Sequence, residues 1–384
     1  MKNYKELIDK YEVAVYPKRD IVIVKGKDAT VWDENGKEYI DCAAGIGVAT
    51  IGHSNTAVVK AISEQAEKLI TNACVFYNDT RALFLEKLNQ ITPPSLTRSF
   101  LTNSGTEAME AAIKFARIST GKTDFITTMK GFHGRTLGAL SGTHKPEYRT
   151  PFEPLVPGFS FVPYNNPEKM EAAITEKTAG IILEPIQGEG GINIATQEYL
   201  DGVRELCNKH NVMMIVDEIQ TGFCRTGKMF AIEHYGIEPD IMTVAKGIAG
   251  GFPVGAAICS EKVNIPFGKH GTTFGGNPLA SAAGLAAINF MLENNLPEEA
   301  ARKGDYFISK LNVKNLSRVR AVRHKGLMIG IELKEKVQPY LQQLMEEGIL
   351  AMPAGKIVLR LLPPAVITYK QLDKVVEVLN KILK

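Results

Sequence analysis

Short apolar runs alternate with amphipathic segments through the middle of the chain. Residues of β-forming or apolar type dominate the runs at 99–102, 125–128, 180–185, 212–218, 241–246 and 254–260. Between several of these runs the apolar residues follow helical spacing, as in 106–120 and 197–211. Strands that alternate with helices predict an α/β fold, with a mainly parallel sheet sandwiched between helices.

The two ends of the chain follow a different pattern. Residues 21–41 resemble a small antiparallel meander, with turn residues at Gly26 and at Asn35-Gly36. After about residue 284, helices and strands of mixed α+β type follow one another. We therefore predict a large domain and a small α+β domain built from both termini. The predicted division is an N-terminal segment of the small domain at 1–50, the large domain at 51–283 and the rest of the small domain at 284–384.

Composition limits the class of protein. Of the 384 residues, 45% are hydrophobic and 23% are charged, and the net charge is only +3, which does not favour binding to nucleic acid or to a membrane. The N-terminus has no signal-peptide core. The five cysteines lack CxxC spacing, which disfavours a zinc site or a disulfide framework and fits a reducing compartment. We expect a soluble cytoplasmic protein without a metal site.

Polar or ionisable residues follow four of the predicted strands, at the point where each strand ends. They are Asn103-Ser104-Gly105-Thr106, Glu184, Asp217-Glu218 and Lys246. One lysine at a strand end commonly extends to the surface. Since ligands bind at the carboxyl ends of strands in an open parallel sheet, a row of such residues instead indicates an active site at that edge.

The residue types at this edge match the needs of pyridoxal phosphate (PLP). Ser104-Gly105-Thr106 opens a predicted helix, where free N–H groups bind phosphate, although the same residues also suit an ordinary helix N-cap. Asp217 precedes Lys246 by about one crossover unit, so both can reach one ligand. PLP requires a lysine for a Schiff base, an acid facing its ring nitrogen and a phosphate anchor.

Motifs along essentially the whole chain resemble those of a known family. They are NSGTEA (103–108), GFHGRT (131–136), LEPIQGEGG (183–191), DEIQTGFCRTG (217–227), AKG (245–247), HGTTFGGNPLA (270–280) and VLRLLPP (358–364). Together they resemble the class III PLP-dependent aminotransferases that act on terminal amines, including acetylornithine and ornithine aminotransferases. The resemblance implies a fold-type I PLP-dependent transferase with a mainly parallel seven-stranded sheet.

The resemblance assigns cofactor roles residue by residue. Lys246 resembles the Schiff-base lysine, and Asp217 resembles the partner of the pyridine nitrogen. The remaining cofactor contacts that it implies come from Ser104, Gly105 and Thr106 at the phosphate, Phe132 and Ile219 on the two faces of the ring, Gln220 at the phenolic oxygen and Thr273. Because Thr273 resembles a threonine that reaches the phosphate of the neighbouring subunit, the resemblance implies a homodimer with shared sites.

The resemblance also implies how two unlike substrates use one site. Arg135 resembles the arginine that holds the distal carboxylate of the substrate, and Thr272 is expected near the substrate. Glu189 and Arg360 resemble a switch pair, in which the arginine pairs with the glutamate until the α-carboxylate of 2-oxoglutarate takes its place. A structural salt bridge is the alternative for this pair.

The amine donor remains open between several candidates. Ornithine aminotransferases carry a tyrosine near the position of Ile46, where it meets a free α-amine, so Ile46 favours a donor whose α-amine is blocked. Details at 28–49, 145–157 and 326–341 resemble most closely the branch acting on lysine or ornithine carried by a small acidic amino-group carrier protein, in lysine and arginine synthesis. The alternatives are N-acetylornithine and then free ornithine. The basic stretch 314–325 is a candidate for docking a carrier.

Two other classes of function fit the sequence less well than an aminotransferase. A catalytically silent relative acting as a regulatory subunit is expected to lack Lys246, Asp217 or Arg360, and all three are present. An aminomutase or decarboxylase on the same scaffold has no need of a switch between two substrates, so the pair of Glu189 and Arg360 disfavours it.

Overall fold

A computed structural model describes residues 3–384 of the chain. The α-helices are α1 (Tyr4–Tyr11), α2 (Ala44–Gly47), α3 (Thr56–Lys68), α4 (Asp79–Ile91), α5 (Gly105–Thr120), α6 (Leu137–Gly142), α7 (Pro146–Arg149), α8 (Pro167–Ala173), α9 (Gln197–His210), α10 (Pro278–Glu293), α11 (Leu296–Lys310), α12 (Gln338–Glu346) and α13 (Tyr369–Ile382). Short 3₁₀ helices cover Thr150–Phe152, Ala231–His234, Lys246–Ala249 and Val313–Asn315.

Within residues 3–384, seventeen strands accompany these helices. They are β1 (Ile23–Lys27), β2 (Thr30–Asp33), β3 (Glu38–Asp41), β4 (Leu96–Thr102), β5 (Asp124–Thr128), β6 (Phe159–Val162), β7 (Thr178–Leu183), β8 (Ile186–Gln187), β9 (Asn193–Ile194), β10 (Met213–Asp217), β11 (Ile241–Val244), β12 (Gly255–Ser260), β13 (Val319–Lys325), β14 (Met328–Leu333), β15 (Ile349–Leu350), β16 (Met352–Ala354) and β17 (Val358–Leu361).

The central sheet has seven strands in the order β4-β12-β11-β10-β7-β5-β6. Neighbours from β11 to β6 pair in parallel, and β12 is antiparallel to both β11 and β4. Every residue of β7, β10 and β11 is buried, as expected for strands covered by helices on both faces. The predicted α/β fold with a mainly parallel seven-stranded sheet is confirmed.

Helix α5 shows how local sequence sets the position of an element against this sheet. Ser104 caps its N-terminus by accepting a hydrogen bond from the backbone N–H of Glu107, and Gly121 ends it with a φ of 70°. Small and apolar residues, including Ala108, Ala112 and Phe115, form its buried face. The start of α5 is therefore fixed beside the carboxyl end of β4.

Both ends of the chain contribute to smaller sheets. Strand β15, near the C-terminus, pairs with β3 and so extends the N-terminal meander to the order β1-β2-β3-β15. A second four-stranded sheet has the order β13-β14-β17-β16 and is antiparallel. The domain division at 1–50, 51–283 and 284–384 stays a prediction.

The longest uncharged run of the sequence, 271–292, forms a loop followed by the largely buried helix α10. Among residues 3–384, the helices are all too short or too polar to cross a membrane.

Candidate active site

Four strands of the central sheet end around one cavity of about 420 Å³. Its lining combines the residues that follow these strands, namely Asn103 to Thr106 after β4, Glu184 after β7, Asp217 at the end of β10, and Ala245 and Lys246 after β11. The row of polar groups predicted from the sequence therefore lies at one edge of the sheet, as parallel strands require.

Lys246 stands where β11 gives way to a 3₁₀ helix, and its backbone is strained. Its φ is 44°, in the left-handed region that costs a residue with a side chain about 1–2 kcal/mol. Strain of this kind persists where the surroundings fix the residue, and it concentrates at functional sites. Withdrawal from bulk water lowers the pKa of the Lys246 ammonium, Glu189 opposes that shift, and Arg360 adds to it.

Asp217 is held by two contacts at the floor of the cavity. One carboxylate oxygen accepts a hydrogen bond from the backbone N–H of Ile219 at 3.0 Å, and the other lies 2.8 Å from Nδ1 of His133. Both side chains are buried, at 4% and 1% exposure. Burial alone would lower the pKa of His133, but the hydrogen bond to Asp217 outweighs it, so the pKa of His133 is raised.

His133 received no role from the sequence, and Glu184 was predicted only to lie at this edge of the sheet, although both belong to motifs that the sequence singled out. Glu184 is buried and accepts backbone N–H bonds from Phe132 and Gly188, each at 3.1 Å. Burial raises the pKa of Glu184 to about 7, with His133 opposing and Asp217 reinforcing the shift. The sequence predicted that Glu184 and Asp217 share this edge of the sheet, but only the fold shows that His133 joins them.

The start of α5 presents a cradle to the same cavity. Ser104, Gly105 and Thr106 line it, at the helix end where backbone N–H groups lack partners within the helix. A Cβ on Gly105 would lie 2.9 Å from the side chain of Ile219, so glycine is required for this close approach. The hydroxyl of Thr106 is fixed 2.8 Å from that of Thr136.

Arg360 reaches the site from β17, on the C-terminal antiparallel sheet. Its guanidinium, which is 1% exposed, donates to Glu189 and also to Oε1 of Gln220 at 3.1 Å. Glu189 and Gln220 both line the cavity beside Lys246. A buried arginine whose carboxylate partner is accessible from the cavity can exchange that partner for a carboxylate of a ligand.

The remaining predicted residues divide into two groups. Phe132, Arg135 and Ile219 line the cavity, and the guanidinium of Arg135 stacks 3.7 Å from the ring centroid of Tyr148. Within the described chain, the lining of this cavity does not include Thr272 or Thr273. Thr273 is exposed at the surface, while Thr272 accepts a hydrogen bond from the N–H of Gly275 at 3.1 Å.

Comparison with known proteins gives a match over nearly the whole chain. The sequence model of the family described as "Aminotransferase class-III" matches residues 12–383. The chain is 52% identical over 379 residues to the LysW-aminoadipate semialdehyde transaminase of Deinococcus radiodurans, covering 97% of this chain and 88% of that protein. It is 48% identical over 373 residues to the acetylornithine aminotransferase of Methanosarcina acetivorans, covering 97% and 94%.

A solved structure of ornithine aminotransferase from Toxoplasma gondii, described as having partial occupancy of PLP at its active site, has a similar fold. The TM-score is 0.94 at 32% identity, over 98% of this chain and 93% of that one. The match extends to the strands that carry the cavity, because it spans almost all of both chains.

Proposed function

Because the chain belongs to the class-III aminotransferases, we propose that it moves the terminal amine of a lysine or ornithine whose α-amine is blocked to 2-oxoglutarate. The products are a semialdehyde and glutamate. One observation carries this proposal: the buried Arg360 pairs with Glu189, which lines the same cavity as Lys246. If Arg360 can exchange Glu189 for a carboxylate of the substrate, one site can bind an amine donor and a dicarboxylate acceptor in turn.

PLP is the cofactor of this family, and the residues of the cavity fit it. We propose that Lys246 holds it covalently through Nζ, that Ser104, Gly105 and Thr106 bind its phosphate, and that Asp217 faces its ring nitrogen. The orientation of Asp217 supports this assignment, since His133 and the N–H of Ile219 fix both carboxylate oxygens. Phe132 and Ile219 are the proposed contacts of the ring, and Gln220 that of its phenolic oxygen.

The bound cofactor supplies an electron sink that acidifies the carbon next to the reacting nitrogen. Lys246 then acts as the proposed proton carrier at the terminal carbon of the donor. The lowered pKa of its amine makes the neutral form, which can accept a proton, easier to reach. Asp217, held in place by His133, is proposed to keep a negative charge at the cavity wall. Arg135 is the proposed partner of the distal carboxylate of the substrate.

Glu189→Gln tests the proposed switch. The amide cannot neutralise Arg360, so the buried guanidinium is left to attract the α-carboxylate of glutamate and to disfavour an amine donor. We expect kcat/KM for glutamate, divided by kcat/KM for N-acetylornithine, to rise at least about tenfold. A tenfold change in this ratio corresponds to about 1.4 kcal/mol of free energy. Single-turnover kinetics with each substrate measure it.

Glu335→Gln is the matched control, because Glu335 pairs with Arg318 at the surface. The same ratio is expected to stay within about twofold of wild type there, as for other exposed pairs. An unchanged ratio in Glu189→Gln would reduce the pair of Glu189 and Arg360 to a structural salt bridge.

A donor joined to an amino-group carrier protein is the form of blocked substrate that we favour. The supporting observations are the similarity to the Deinococcus enzyme, at 52% identity, and Ile46, whose side chain offers no polar partner to a free α-amine. N-acetylornithine is the second candidate, supported by the 48% identity to the Methanosarcina enzyme. Synthesis of lysine and arginine is the proposed setting, in the cytoplasm.

We also propose a homodimer with shared active sites. Val75, Phe76 and Tyr77 expose 85%, 66% and 105% of their surface, more than a soluble monomer usually leaves uncovered in one apolar stretch. The loop that carries the exposed Thr273 is adjacent, because Sγ of Cys74 donates to the carbonyl of Gly275 at 3.3 Å. Sedimentation equilibrium should give about twice the chain mass of 42.1 kDa, and a monomer mass would contradict the proposal.

The first experiment on function follows the visible absorption band of the bound cofactor while one amine donor is added without acceptor. The donors are N-acetylornithine, free ornithine, and lysine or ornithine joined to a carrier protein. Rapid loss of the band with carrier-linked donors alone supports the favoured donor. Rapid loss of the band with N-acetylornithine, with no faster loss when the donor is joined to the carrier, supports the second candidate. No loss of the band with any donor contradicts the proposed function.

A further inference from the structure

Arg225 is a buried cation that the proposed chemistry does not use. Its side chain is 1% exposed, and within residues 3–384 no carboxylate lies within ion-pair distance of it. Burial lowers the pKa of Arg225 to about 10, so the guanidinium is still charged at neutral pH. Because a buried charge without a counter-charge is costly, the neutral groups around this guanidinium should indicate its function.

Three oxygen atoms from separate segments accept hydrogen bonds from this guanidinium. Nη1 donates to the backbone carbonyl of Leu327, at 3.2 Å, and to that of Pro363. Nη2 donates to the hydroxyl of Thr50 at 3.4 Å. The backbone carbonyl of Arg225 in turn accepts a hydrogen bond from the N–H of Leu327 at 3.0 Å. A planar guanidinium, with several donors in fixed directions, is suited to hold such separate acceptors at once.

The two carbonyls lie at the same end of the strand pair formed by β14 and β17. Leu327 directly precedes β14, and Pro363 closely follows β17. Because the strands are antiparallel, with Arg360 of β17 opposite Gly330 of β14, the start of β14 lies beside the end of β17. Arg225 therefore binds both strands at the end of the pair that is near Arg360.

Thr50 connects the guanidinium of Arg225 to the segment that carries Lys246. A Cβ on Gly247 would lie 2.9 Å from Oγ1 of Thr50, so the residue after Lys246 packs directly against this hydroxyl. Through Thr50, the guanidinium is therefore linked to the strand end that holds the reactive lysine.

The backbone directly before Arg225 is strained. Phe223 and Cys224 have φ values of 55° and 71°, in the left-handed region that costs a residue with a side chain about 1–2 kcal/mol. Such strain persists where surrounding contacts fix the backbone. The same loop, which follows β10, includes Gln220, whose Oε1 accepts a hydrogen bond from Arg360 at 3.1 Å. The loop after β10 thus contacts Arg360 itself through one residue and the strand of Arg360 through another.

Gly326 permits the close approach of the two segments that Arg225 joins. Its φ is 53°, and a Cβ there would lie 2.5 Å from the carbonyl carbon of Thr226 and 2.7 Å from the backbone nitrogen of Gly227. Glycine is therefore required at this position. Because the two backbones touch directly, β14 and β17 have little freedom to move relative to the loop after β10.

We propose that Arg225 is a positioning residue, which fixes Arg360 at the cavity by joining the pair of β14 and β17 to the loop after β10. The inference rests on the proposed function, in which Arg360 binds Glu189 and the α-carboxylate of the acceptor in turn. A shift of about 1 Å in a binding group can lower a rate about 100-fold. Since the blocked amine donor makes no proposed contact with Arg360, such a shift should affect the dicarboxylate far more than the donor.

Arg225→Lys tests the assignment, because an ammonium keeps the charge but cannot hold three acceptors in separate directions. We expect kcat/KM for glutamate, whose α-carboxylate is the proposed ligand of Arg360, to fall at least about tenfold. The same constant for N-acetylornithine should stay within about threefold of wild type, since no contact of that donor is removed. Single-turnover kinetics with each substrate measure the two constants. A merely structural role would lower both of them together.

Arg204→Lys is the matched control. The side chain of Arg204 is 15% exposed, and its Nη1 donates to the carbonyl of Glu238 at 3.2 Å and to Asp240 at 3.0 Å. Asp240 directly precedes β11, at the end of that strand opposite to Lys246. Arg204→Lys should lower the melting temperature without changing the ratio of the two constants. An equal change of the ratio in both variants, or no change in Arg225→Lys, would overturn the proposal.

Thr50→Val is a second variant, for use if Arg225→Lys does not fold. It removes the hydroxyl that accepts from Nη2 and keeps a branched side chain of similar size. We expect kcat/KM for glutamate, divided by kcat/KM for N-acetylornithine, to fall about threefold, as for the loss of one hydrogen bond. An unchanged ratio in folded Thr50→Val would then overturn the proposal.

A binding measurement separates this proposal from the proposed function. Glutarate has the two carboxylates of the acceptor but no keto group, so it cannot react, and calorimetry gives its dissociation constant for the holoenzyme. Arg225→Lys is expected to weaken glutarate binding about tenfold, and Arg204→Lys to leave it within about twofold of wild type. Failure of the wild-type enzyme to form glutamate from any donor would contradict the proposed function. Equal binding of glutarate by wild type and Arg225→Lys would instead overturn the role of Arg225.

Discussion

Lys246→Ala is expected to lower transamination at least about a thousandfold, because it removes the only proposed proton carrier at the terminal carbon of the donor and the covalent anchor of the cofactor. Glutamate formation from N-acetylornithine and 2-oxoglutarate measures the loss. After reduction with borohydride, mass spectrometry should find the cofactor attached to the wild-type chain and not to the variant.

The Lys246→Ala variant should still fold, because burying an alanine side chain avoids the free-energy cost of burying a lysine amine. Lys228→Ala is a suitable control, since Lys228 is exposed and lies on the same crossover between β10 and β11. Turnover by Lys246→Ala at more than a few per cent of the wild-type rate would contradict the assignment of Lys246.

Asp217→Asn is expected to lower the rate of the donor half-reaction about 100- to 1000-fold, as for the loss of a preorganised charge at a reacting centre. The amide keeps the shape of the side chain but not the negative charge that is proposed to face the cofactor nitrogen. It also removes the charge of the carboxylate that lies 2.8 Å from Nδ1 of the buried His133. Stopped-flow absorbance of the donor half-reaction measures the rate.

Asp240→Asn separates chemistry from stability. Asp240 is buried and pairs with Arg204 and Lys262, so its neutralisation should destabilise the fold without touching the cavity. We expect a lower melting temperature with a nearly unchanged rate in Asp240→Asn. If both variants slowed the half-reaction equally, Asp217 would have no special role at the cofactor.

Local pattern in the sequence was enough to identify the buried strands of the central sheet. The apolar runs that became β7, β10 and β11 were recognisable because strands buried on both faces are apolar throughout. The residues at their ends were then candidates for one site, since the carboxyl ends of parallel strands share an edge. The motifs that resemble the family added the residues of the ring pocket and the pair of Glu189 and Arg360.

Tertiary structure decided the contacts between residues that are far apart along the chain. Arg360 of β17 contacts Glu189, and His133 of the loop after β5 contacts Asp217. Neither contact follows from the spacing of these residues along the sequence. The grouping of Lys130, Lys145 and Lys356 around a second cavity depends even more on folding, because these lysines lie in separate segments whose charges look like ordinary solvated surface in the sequence. Periodicity records which face of an element is buried, whereas the meeting of side chains depends on how whole elements pack.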